Sequence, residues 1–132
     1  MDKKIKELLE DENIQVLYFD DMDLNAFCIL ETKQIAVNNK LSELEQENAI
    51  LHELGHLLDG HYSNSLTASC VGILFENKAD RYFIEERVKD YFSYYDEAPE
   101  SISIDRFLDT YHIESKHYVV AEDIIKDYIK NR

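Results

Sequence analysis

Residues 42–60, SELEQENAILHELGHLLDG, constrain this chain more than any other segment. Ser42 followed by Glu45 has the form of a capping box, and Glu43 and Glu45 place negative charge in a first turn, where the helix dipole favours it. Leu44, Leu51, Leu54 and Leu58 return at near-helical spacing, and Gly60 offers the residue at which a helix can stop. The spacing predicts a helix from residue 42 to about residue 59. Three polar residues, His52, Glu53 and His56, interrupt its apolar pattern.

Around this helix the chain reads as α+β. Residues 2–11 set Ile5, Leu8 and Leu9 on one side among Lys and Glu, the pattern of a short amphipathic helix. The apolar runs 16–19, 26–30 and 35–37 are separated by DDMDLN and ETKQ, which predicts three strands, the last two in a hairpin. The acidic run Asp20, Asp21, Asp23 lacks the Gly and terminal Glu of a calcium loop and reads as a turn. Residues 60–70 are small and polar, a loop. Helical spacing resumes over 71–95, stops before Pro99, and returns at 103–111 and 115–129. A chain of 132 residues holds one core. The expectation is a single domain, with its core at about 14–95 and C-terminal helices at about 101–130. A small, mainly antiparallel sheet would pack on the 42–59 helix.

Charge and cysteine content narrow the function classes. Fourteen basic residues against 28 acidic ones give a net charge of −14, which disfavours nucleic acid and anionic membranes and favours basic partners. The 101–132 tail has the helix lengths of a helix-turn-helix, but its five basic residues face six acidic ones, so it reads as a packing or docking element. Cys28 and Cys70 are too few for a disulfide framework and lie in apolar runs, where they read as small buried hydrophobes. No apolar run exceeds five residues, and the start MDKKIKELLED lacks the apolar core of a signal peptide. The expected location is the cytoplasm, with reduced thiols and no membrane association.

His52-Glu53-Leu54-Gly55-His56 is an H-E-x-x-H motif. Residues i and i+4 lie about 40° apart around a helix, so both imidazoles can reach one metal ion while Glu53 stands beside them as a base. Two imidazoles and a carboxylate suit Zn2+, with a fourth position open for water. For the third ligand there are two candidates. His61 follows His56 by five residues, one short of the H-E-x-x-H-x-x-G-x-x-H register. Glu76 opens the next helix in Glu76-Asn77-Lys78-Ala79-Asp80 and is preferred. Asp80, one turn on, could then accept a hydrogen bond from the far nitrogen of a ligand histidine. Gly55, costly inside a helix, marks a close backbone approach.

The strand hairpin, AVNNKLSELEQENAILHELGHLL, and FENKADRYF about twenty residues on resemble the ImmA/IrrE family of metallo-endopeptidases, often encoded by phages and mobile elements. The resemblance covers about residues 14–90. It implies a zincin-like, minimal gluzincin fold, zinc held by His52, His56 and Glu76, and Glu53 as general base, with Asp80 behind the ligands. It implies hydrolysis of a peptide bond in a cytosolic regulatory protein such as a helix-turn-helix repressor, with no direct nucleic-acid contact. Some members carry a DNA-binding domain before the catalytic part, and the 51 residues before His52, used by a helix and strands, leave no room for one here. The alternative is a metal-stabilised module that captures a regulator without cutting it. A further donor for the reaction would come from His61, Tyr62, Tyr111 or His112.

Overall fold

The computed structural model describes residues 1–58, 70–95 and 102–131. The chain divides into two compact units, Met1–Tyr82 and Phe83–Arg132.

The first unit contains helix α1 (Lys3–Asp11), strands β1 (Gln15–Phe19), β2 (Ala26–Ile29) and β3 (Gln34–Asn38), helix α2 (Glu43–Leu58), and the start of helix α3 (Cys70–Phe92). The α+β expectation holds. β2 and β3 form the expected antiparallel hairpin, Ala26 opposite Val37 and Ile29 opposite Gln34. Lys33, at φ 53°, closes its turn, its N–H donated to Leu30 O at 3.3 Å.

The sheet as a whole is mixed, because β1 pairs with β3 in parallel and the strand order is β1-β3-β2. The β1–β2 connection passes over the end of β3 and returns on its far side, so β3 enters between the two strands. Asn39 ties the connection down, with its N–H on Phe19 O at 2.9 Å and its Nδ2 on Asp20 Oδ1 at 2.8 Å. Asn38 Nδ2 adds weaker bonds to the carbonyls of Met22 and Leu24. β3 thereby becomes the central strand, and Ile35, Ala36 and Val37 are all buried.

α2 lies against β2 and β3 and also meets α1. Ile50, Leu51 and Leu54 bury one side of it. Half of the capping box forms: Ser42 Oγ accepts the Glu45 N–H at 3.2 Å, while the Glu45 carboxylate takes the Ser42 hydroxyl at 2.7 Å in place of the Ser42 N–H. The expected stop at Gly60 and residues 60–69 of the expected 60–70 loop lie outside the described residues, and Cys70 already belongs to the next helix.

In the second unit α3 continues to Phe92, followed by α4 (Ile104–Tyr111), a 3₁₀ turn at Ser115–His117 and α5 (Tyr118–Lys130). Ser103 caps α4 by accepting the Arg106 N–H at 3.2 Å, and His112, left-handed at φ 55°, ends it. Phe92 stacks on Tyr128 with ring centroids 4.7 Å apart, and Tyr91 meets Phe107 edge-on at 5.4 Å. Among the described residues no helix is long and apolar enough to cross a membrane.

If the Ser42 cap sets the start of α2, Ser42→Ala should lower stability by about 1 kcal/mol in urea unfolding, while Ser42→Asp, which keeps an acceptor, stays close to the parent. An unchanged midpoint for Ser42→Ala would show that the cap is dispensable.

Candidate metal centre

Three side chains of the first unit converge. His52 and His56, one turn apart on α2, bring their Nε2 atoms to 3.2 Å, with the rings edge-on. From α3, Glu76 places Oε2 2.9 Å from His52 Nε2 and Oε1 2.9 Å from His56 Nε2. Behind them Asp80 Oδ1 lies 2.7 Å from His52 Nδ1.

The hydrogen-bond inventory decides what such a cluster can hold. Asp80 is an acceptor, so His52 Nδ1 carries the proton, and a neutral His52 then presents a bare lone pair at Nε2. That lone pair faces a carboxylate oxygen and the other imidazole. Three electron-pair donors aimed at one another repel unless a proton or a metal cation sits among them. With metal bonds of about 2.0–2.1 Å, tetrahedral ligand atoms stand about 3.3 Å apart, close to the 2.9 and 3.2 Å found here. Two imidazoles and one carboxylate oxygen are a donor set that zinc accepts. The residues fit a divalent metal, and among the described residues His52, His56 and Glu76 are a group able to hold it.

The electrostatics agree. Burial on its own would lower the His52 pKa, but the hydrogen bond and charge of Asp80, followed by the charges of Glu53 and Glu76, turn the net shift upward. Glu53 stays outside the cluster, Oε2 3.9 Å from His52 Nε2, and is buried. Burial pushes its pKa up to about 7; the charge of His52 opposes this, and that of Glu76 adds to it.

The approach of α3 depends on Gly55. A Cβ there would stand 3.1 Å from Ala79 Cα and 3.2 Å from Tyr82 Cβ, so a side chain would have to push α3 out by a few tenths of an ångström. Glu76, Ala79 and Asp80 share one face of α3 by their spacing, and the contact at Ala79 sets the carboxylates on either side of it against the histidines.

A peptidase lineage follows from comparison with known families. The sequence profile of peptidase family M78, the IrrE N-terminal-like domain, matches residues 8–122. The chain belongs to this family. No curated protein and no solved structure matches it. In this M78 member the family and the His-His-Glu group together indicate metallopeptidase-type chemistry.

Of the remaining candidates, His61 and Tyr62 lie outside the described residues. Tyr111 and His112 belong to the second unit, where the Tyr111 hydroxyl donates to Asp90 Oδ2 at 2.6 Å. Reading Cys28 as a buried hydrophobe needs correction: it is half-buried and lies near the Glu53 carboxylate. Only the register of β2 under α2 puts the two together, and no local pattern announces it.

Asp80→Asn should keep the fold and weaken zinc binding by about 10- to 100-fold in competition with a chromophoric chelator. Gly55→Ala gains about 1 kcal/mol of helix propensity but meets backbone at Ala79, where overpacking costs about 1–3 kcal/mol. The net change in stability should be small or unfavourable, and zinc affinity should fall because α3 is displaced. Parent affinity in both variants would contradict this geometry.

Proposed function

We propose that this chain is a zinc-dependent endopeptidase that cleaves a cytosolic regulatory protein such as a helix-turn-helix repressor. The observation that carries the peptidase reading is the convergence of His52 Nε2, His56 Nε2 and the Glu76 carboxylate beside the buried Glu53, in a member of a peptidase family.

Zinc held by these three residues would supply a Lewis acid for the scissile carbonyl and lower the pKa of water toward ~7. The chain's own residues do the rest. Glu53 takes the proton of the attacking water and passes it to the leaving amine as the carbonyl carbon gains oxygen and the C–N bond breaks. Burial raises this carboxylate above its ordinary range, and a cation at the site would lower it again, so that it can both take up and release a proton. Asp80 fixes the His52 tautomer with Nδ1 protonated, so that Nε2 keeps its lone pair.

The substrate class rests on the resemblance to a family that relieves repression and on the net charge of −14, which favours encounter with a basic, DNA-binding protein. Such steering is screened beyond about 10 Å at ordinary ionic strength, so the charge is the smaller argument.

The test is incubation of zinc-loaded protein with a proteome-derived peptide library and with a purified helix-turn-helix repressor, fragments being read by mass spectrometry. Chelator-sensitive cleavage is expected, at one site in the folded repressor. Glu53→Gln should keep its zinc and fold and lose at least about 100-fold in rate, as general-base removal does. Cleavage by Glu53→Gln at the parent rate would overturn the mechanism. A stable complex with no cut, unchanged by Glu53→Gln, would instead favour capture without proteolysis.

A further inference from the structure

The strand register sorts the residues of the sheet between its two faces. Val37 has Tyr18 beside it on β1 and Ala26 on β2, and Tyr18 lines a cavity with Glu47 and Ile50 of α2. Side chains alternate along a strand, so Ile35 and Val37 lie on the face that α2 covers. The other face carries Ala36 with Leu17 and Phe27 on either side of it, together with Phe19 and Ile29. Ala36 is buried there, yet Phe19 is 45% exposed and Phe27 40%. Leu24, in the connection over the end of β3, is 60% exposed, and its carbonyl accepts a bond from Asn38 on this face. The polar residues of the face are uncharged and are tied down: Gln34 Nε2 donates to Gln15 Oε1 at 3.2 Å, and Asn38 Nδ2 to the carbonyls of Met22 and Leu24. Charge is kept to the two ends. Asp20, Asp21 and Asp23 are exposed where β1 leaves the sheet, and Glu12 and Glu31 at the opposite end, five acids against Lys33 and Lys40. Lys33 has its ammonium on Glu12 O at 3.4 Å.

We propose that this outer face docks an amphipathic helix of a basic regulatory protein, its apolar stripe on Leu17, Phe19, Phe27 and Ile29 and its Lys or Arg residues over the acidic ends. The inference rests on the peptidase reading of the site and adds the surface that holds the substrate. A sheet buries an apolar face against a helix, as this one does against α2 on the other side. Strands about 4.8 Å apart set β1 and β2 about 10 Å from each other across β3, the width of one helix. A second copy of this chain is the poorer occupant, because pairing face to face would set acidic ends against each other on molecules of net charge −14. Docking here also leaves α2, with His52 and His56, uncovered on the opposite side of the sheet.

The probe is a fluorescent, helix-stabilised peptide of about 18 residues, Leu along one side and Lys along the other, added to the zinc-loaded full chain. Binding should shift the backbone amides of Leu17, Phe27 and Ala36 in NMR spectra. It should weaken at least about tenfold in Phe27→Ser and, separately, in Asp21→Lys/Asp23→Lys, whose exposed positions leave the fold intact. The same peptide with Glu in place of Lys should bind at least about tenfold more weakly. Parent affinity in both variants, equal affinity for the two peptides, or shifts confined to α2 would overturn the proposal. A dimer abolished by Phe27→Ser, with no peptide bound, would give the face to a second copy and overturn it as well. On a folded helix-turn-helix repressor that the parent cleaves, Phe27→Ser should raise KM about tenfold, while hydrolysis of a short unstructured peptide stays at the parent rate. An unchanged KM on the repressor would overturn the docking role and leave the peptidase reading standing. Docking of the Lys peptide on this face with no cleavage of any substrate would overturn the peptidase reading and leave the docking surface standing.

Discussion

The approach of α3 to α2 at Gly55 is the constraint on which the site depends. Two histidines one turn apart make only a half-site. The third group must come from elsewhere, and it arrives where Ala79 Cα stands close against Gly55. Once the helices meet there, helical geometry does the rest: Glu76 lies on the near side of Ala79 and reaches both imidazoles, and Asp80 lies beside it and reaches the far nitrogen of His52. One packing contact thus fixes both the cluster of lone pairs and the tautomer that creates it.

The sheet has the complementary task. β3 is buried as the central strand, which leaves β2 at an edge beneath α2. An edge strand carries unpaired backbone donors, ordinarily a liability in a small sheet. Here the edge strand lies against α2, the helix that carries His52, Glu53 and His56. The His-His-Glu cluster is held by helix–helix packing, and the helix that carries its histidines by the sheet.

What was legible in the sequence follows the range of the interactions. α2, its Ser42 cap and the placement of His52, Glu53 and His56 on it depend on residues three and four apart, and so could be read directly. The pairing of Glu76 with Asp80 was legible for the same reason, and the β2–β3 hairpin because its strands are joined by a short turn. The parallel pairing of β1 with β3 was not, since it depends on Asn38 and Asn39 fastening a connection across the end of the sheet. The nearness of Cys28 to Glu53 needed both the hairpin register and the placement of a helix on it. From composition alone, a cysteine in an apolar run looks like core.

X-ray absorption at the zinc edge, on protein carrying one equivalent of zinc, tests the central claim most directly. The account predicts a first shell of nitrogen and oxygen at about 2.0–2.1 Å containing two imidazoles, with one imidazole lost in His56→Ala. A sulfur scatterer at about 2.3 Å, or a shell unchanged in His56→Ala, would place the metal elsewhere and contradict it.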